Sequence, residues 1–162
     1  MLDLVFKNYI TRPQSGRSNR RMTASTKSPS EKFFSEILKK GIEELKLKDK
    51  NIEVSLNLVG EDKIKELNNK YRGKNEVTDV LSFPLGESGL KRYDILPLGD
   101  IFICLPFAVK ESERQNISLE KELAWLTVHG FLHLLGYDHE KSDSDKKKMF
   151  RLEIKILNKL KK

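Results

Sequence analysis

His129-Gly130-Phe131-Leu132-His133-Leu134-Leu135-Gly136-Tyr137-Asp138-His139 holds all three histidines of the chain. His129 and His133 are four residues apart, which puts them on one face of a helix. His139 follows six residues later. Neutral imidazole is the commonest metal ligand in proteins. Three imidazoles leave a fourth position open on a tetrahedral ion, and open positions distinguish catalytic zinc from structural zinc. The stretch predicts one Zn2+ per chain on His129, His133 and His139.

The flanks suit that geometry. Leu119 to Leu135 is rich in helix formers, and Ser118 stands where an N-cap belongs. Gly136 falls just past the last helical residue, where a left-handed glycine ends a helix and reverses the chain. That reversal would carry His139 back toward the other two. The spacing H-x-x-x-H-x-x-G-x-x-H is the metzincin pattern, with one departure. Gly130 occupies the place of the glutamate that serves H-E-x-x-H proteases as general base. A glutamate there would stand beside the metal, so the cage is present and the protease's base is missing.

With 162 residues and 38% hydrophobic content, the chain has enough material for one domain with a real core. It has no apolar run near ~18 residues, which argues against a transmembrane helix. The one cysteine, Cys104, excludes an internal disulfide and fits a reducing compartment, the cytoplasm. The net charge of +7 favours a polyanionic partner such as nucleic acid or a membrane surface. Residues 11–28 carry five basic side chains (Arg12, Arg17, Arg20, Arg21, Lys27), no acidic ones and many Ser and Thr. This composition predicts a flexible basic loop within a single domain spanning 1–162.

Hydrophobic periodicity orders the remainder. Leu2 to Phe6 reads as a strand. Ser28-Pro29-Ser30-Glu31 has capping-box spacing with proline at the first helical position, and Phe33, Phe34, Ile37, Leu38, Ile42 and Leu45 give the helix its apolar face. Ile52, Val54, Leu56 and Leu58 alternate with polar residues as a half-buried strand. Glu61 to Tyr71 reads as a helix stopped by Gly73. Val77 to Phe83 and Leu98 to Leu105 read as strands around a loop at 85–97. After the histidine helix, Ser142 starts a last helix with Met149, Leu152, Ile156 and Leu160 inward. The expected order is strand, helix, strand, helix, two strands, two helices. That is an α+β fold, a small sheet with helices packed on it, one of them a metzincin-like histidine helix.

A second group of residues bears on chemistry. Arg72 and Lys74 flank Gly73 at a helix end, where positive charge answers the helix dipole. Arg72 also suits a phosphate, because a planar guanidinium binds it in two places. Asp79 and Asp100 each have the chemistry to orient a ligand histidine or to cap a turn; the structural role is preferred for both.

The histidine block resembles the signature of the YbeY endoribonucleases. Tyr71-Arg72-Gly73-Lys74, Thr78 to Pro84 and Leu98-Gly99-Asp100-Ile101 resemble that family's other blocks, in the same order. The resemblance implies a zinc-dependent, single-strand-specific endoribonuclease acting in rRNA processing and ribosome maturation. Its partners would be single-stranded RNA, ribosomal RNA or the ribosome, with zinc on the three histidines and a catalytic role for Arg72. The basic segment at 11–28 departs from the family's usual short connection. Two other classes remain open: a degenerate metzincin-like metallopeptidase, and a non-catalytic zinc-stabilised ribosome-assembly factor.

Overall fold

The structure, a computed structural model, describes residues 1–10, 29–86 and 95–160. The basic segment 11–28 lies outside the described residues. The order is β1 (Leu2–Asn8), α1 (Glu31–Glu44), β2 (Asn51–Val59), α2 (Glu61–Arg72), β3 (Val80–Pro84), β4 (Ile95–Cys104), α3 (Leu105–Gln115), α4 (Leu119–Leu134) and α5 (Asp143–Lys159). The strands form one sheet in the order β1-β2-β4-β3. β1 and β4 both run parallel to β2, and β3 returns antiparallel along β4 as an edge. The expected α+β class, a small sheet carrying helices, is what forms.

The two faces of the sheet have separate tasks. Strand side chains alternate in direction. Ile101 and Ile103 of β4 join the main core with α1, α4 and α5. Phe102 and Cys104 turn to the other face and meet Ile64 and Leu67 of α2. The edge strand divides likewise, with Leu81 and Phe83 on the α2 side and the Ser82 hydroxyl donating to the Gly130 carbonyl of α4 at 3.2 Å.

α4 lies between the sheet and the other helices, touching α1, α3, α5, β3 and β4. A helix surrounded in this way should be apolar nearly all round. From Glu122 to Leu134 every residue is buried except Trp125, His129 and His133. Those three are spaced by four, so they form one stripe through which the helix reaches solvent beyond its first turn.

Several expected boundaries move. α1 begins two residues late, at Glu31, because the Ser30 hydroxyl accepts from the Phe33 amide as N-cap. Pro29 is therefore outside the helix. β3 starts at Val80 instead of Val77, since the Asp79 carboxylate accepts from the Val80 amide at 2.7 Å and from the Thr78 hydroxyl at 3.1 Å in a turn ahead of it. β4 reaches back to Ile95 into the expected loop. The described residues also hold one helix more than expected. α3 starts at Leu105, where the sequence suggested the end of a strand, and carries Pro106 in its first turn. Proline lacks an N–H that the first turn does not use, so here it opens a helix. Only Leu105, Ala108 and Ser112 of α3 are buried, too sparse a stripe to read as helical periodicity.

Candidate metal centre

α4 delivers the first two histidines and its C-terminal turn delivers the third. The Ser118 hydroxyl accepts from the Lys121 amide and fixes the start of the helix. At the far end the Gly136 amide donates to the His133 carbonyl at 3.0 Å and the Tyr137 amide to the Leu132 carbonyl at 3.1 Å. That pair of bonds is the Schellman arrangement, which needs a left-handed residue. Gly136 supplies it with φ at +87°. The chain therefore folds back as the sequence predicted, and His139 meets the helix.

One ring nitrogen from each of His129, His133 and His139 lies within 4.8 Å of the others. The Nε2 atoms of His129 and His133 are 3.1 Å apart. Two imidazoles on one tetrahedral zinc place their nitrogens about 3.3 Å apart, from Zn–N bonds of ~2.0–2.1 Å. The His139 Nδ1 is buried with no hydrogen-bond partner, and the Asp138 carboxylate is 4.0 Å from it. A buried orphan nitrogen beside two converging imidazoles is a donor set that fits a metal ion. Burial, and then the charges of His129 and His139, push the pKa of His133 down. Its ring is thereby kept neutral, with a lone pair to donate.

The site includes a carboxylate that the sequence reading did not select. Glu153 of α5 is 5% exposed, and its Oε1 lies 2.7 Å from the His129 Nδ1. The Trp125 ring lies 5.0 Å from the His129 ring, tilted by 30°. Glu153 is 24 residues from His129, so no local spacing links them. A signal was present: a glutamate on the α5 stripe between Met149 and Ile156, both buried. Asp79 and Asp100 do not play this part. Asp79 holds its turn, as preferred, and neither has a hydrogen bond to a histidine among the described residues.

Arg72 is the last residue of α2, exposed, in a final turn that also carries Lys70. α2 packs on the sheet face opposite α4, and the Tyr71 ring stacks 5.0 Å from Phe83 of the edge strand. Among the described residues Arg72 has no hydrogen bond or ion pair, to the histidines or to anything else. Its positive charge is uncommitted.

Gly130 is also explained differently from the sequence expectation. A side chain at this position would not stand beside the metal. A Cβ built there lies 2.9 Å from the Ile101 Cγ2 and 3.1 Å from the Ser82 Oγ, inside the seam between α4 and the sheet. The glycine lets the histidine helix approach β3 and β4. Beside the histidine turn, a cavity of about 290 Å³ is lined by Tyr137, Asp138, Lys141 and Lys148 among others. The Lys148 ammonium sits 5.4 Å over the Tyr137 ring.

Comparison with known proteins matches residues 17–161 to the family model described as "Endoribonuclease YbeY". The chain belongs to the endoribonuclease YbeY family. An endoribonuclease YbeY from Sulfurihydrogenibium sp. is 44% identical over 135 residues, 83% of this chain and 86% of the relative. One from Persephonella marina is 44% identical over 131 residues, covering 80% and 83%. The solution structure of a Thermotoga maritima protein is similar with a TM-score of 0.58 and 31% identity, covering 96% of this chain and 87% of the other. The YbeY resemblance read from the histidine block therefore holds across most of the chain. Among the described residues no helix is long and apolar enough to cross a membrane, and the cysteine, Cys104, is free and buried.

Proposed function

We propose that this chain is a zinc-dependent endoribonuclease that cuts single-stranded RNA in rRNA processing and ribosome maturation, working in the cytoplasm as a single domain. The convergence of three imidazole nitrogens within 4.8 Å, in a member of this family, carries the reading. His129, His133 and His139 are the proposed ligands of one zinc ion. A divalent ion held there supplies a Lewis acid for a phosphoryl oxygen and a lowered pKa for water.

The chain's own groups divide the remaining work. His133 stays neutral and presents a lone pair. Glu153 accepts a proton's hydrogen bond from His129 and leaves that ring's other nitrogen free. Arg72 is proposed to grip the scissile phosphate, because a guanidinium placed where charge grows stabilises the transition state. Lys141 and Lys148 line the cavity beside the histidine turn, where Asp138 and Asp145 balance their charge. The peptidase alternative lacks its usual base, since Gly130 has no side chain and points into the α4–sheet seam.

The test is cleavage of a ribosomal RNA fragment, single-stranded and annealed, and of casein, each with and without chelator. The expected result is cleavage of the single strand that chelator abolishes and zinc restores, with casein intact. Chelator-sensitive proteolysis without RNA cleavage would establish the peptidase instead. Zinc binding with neither activity would favour the assembly factor.

A further inference from the structure

Glu153 is a charged group in an apolar place. Met149, one turn before it, is 1% exposed and Ile156 is 0% exposed. The stripe of α5 that carries all three packs into the core beside α1 and α4. A position that needed only packing would be better served by Leu or Met, because a buried carboxylate without a partner is costly. Among the described residues Glu153 has one partner, the His129 ring. That ring is itself confined by Trp125 and by the 3.1 Å approach of His133.

We infer that Glu153 is a positioning residue: it holds His129 in the tautomer that binds metal, and it ties the seating of α5 to metal binding. The inference rests on the reading that the three histidines hold an ion. A neutral imidazole has one N–H and one lone pair, and its hydrogen bond decides which nitrogen has which. With its acceptor 2.7 Å from Nδ1, the proton stays on Nδ1 and the lone pair on Nε2 faces His133. Without that acceptor the ring divides between two tautomers and is free to turn. The carboxylate also adds a negative charge close to a divalent cation. Partners of this kind are worth 10- to 100-fold in metal affinity.

The second half follows from connectivity. Glu153 reaches His129 only while α5 is docked by Met149 and Ile156. Lifting α5 removes the acceptor, so undocking lowers metal affinity. By linkage, bound metal must hold α5 in place to the same degree.

The experiment uses the full chain with Glu153→Gln and Glu153→Met, and zinc alone as the probe. Zinc affinity is measured by competition with a chromophoric chelator, the stability of the metal-free protein by urea unfolding, and the His129 tautomer by 15N NMR. Hydrogen exchange of α5 amides is followed with and without zinc. Glu153→Met should lose 10- to 100-fold in zinc affinity, show mixed His129 tautomers, and no longer gain α5 protection on adding zinc. Its metal-free form should lose little stability, because removing a buried charge offsets the hydrogen bond that His129 gives up. Glu153→Gln keeps a carbonyl acceptor and should fall between the two in affinity, which a purely packing role would not produce. Wild-type zinc affinity in both variants overturns the inference. So does a loss of affinity in both that is matched by loss of metal-free stability. A wild-type chain that binds no zinc overturns instead the metal reading on which it rests.

Discussion

Substituting Gly130 with alanine tests whether this glycine sets the distance between the histidine helix and the sheet. The new methyl would sit 2.9 Å from the Ile101 Cγ2 and 3.1 Å from the Ser82 Oγ. Non-bonded carbons prefer about 3.5–4.0 Å, so the first contact is well inside the repulsive wall. Ile101 is 0% exposed and branched at Cβ, which leaves it little rotamer freedom to yield. α4 must therefore move off β4. Overpacking of this kind costs about 1–3 kcal/mol, and alanine recovers about 1 kcal/mol of helix propensity over glycine. The net expectation is destabilisation of about 1 kcal/mol, or ~2–4 °C in Tm for a chain of this size. Ile101→Ala by itself should cost about 2–4 kcal/mol through the cavity it leaves. In the Gly130→Ala background the same change also removes the clash with Ile101, so it should cost about 1–3 kcal/mol less, a coupling that a double-mutant cycle resolves. Urea unfolding of the four metal-free proteins gives the cycle. A Gly130→Ala chain as stable as the wild type, with additive costs in the cycle, would refute the close-approach argument. Gly130→Glu belongs to the same seam. Its carboxylate would be forced against Ile101 without a partner, so it should unfold the chain and not restore a protease.

Arg72→Ala should retain zinc and fold, since Arg72 is exposed and unpaired among the described residues, and lose about 10²–10³ in RNA cleavage rate; cleavage at the wild-type rate, measured under single-turnover conditions, would remove it from the mechanism. Cys104 is fully buried, and burial pushes its thiol up to about 11. At pH 8 only about one molecule in a thousand would carry the reactive thiolate, so an aromatic disulfide reagent should label it in urea and scarcely at all in the native protein; rapid native labelling would show that the α2 side of the sheet opens.

The sequence by itself determined whatever depends on neighbours a few residues away. Helix periodicity placed α1, α2, α4 and α5, and alternation placed β2. The four-residue spacing of His129 and His133, with Gly136 to turn the chain, placed three imidazoles together because helix geometry and a left-handed glycine are local properties. α3 escaped this reading because its buried face is three residues wide and its proline resembles a stop. The tertiary structure alone decided what depends on packing between distant segments. It put α2 on the sheet face opposite the histidine helix, with Arg72 exposed at its C-terminal end. It turned Gly130 from a missing base into the point where α4 meets Ile101 and Ser82. It also chose Glu153, instead of Asp79 or Asp100, as the carboxylate on His129. Each of these is fixed by which faces bury against which, and a single strand of sequence holds that information only as apolar stripes that do not name their partners.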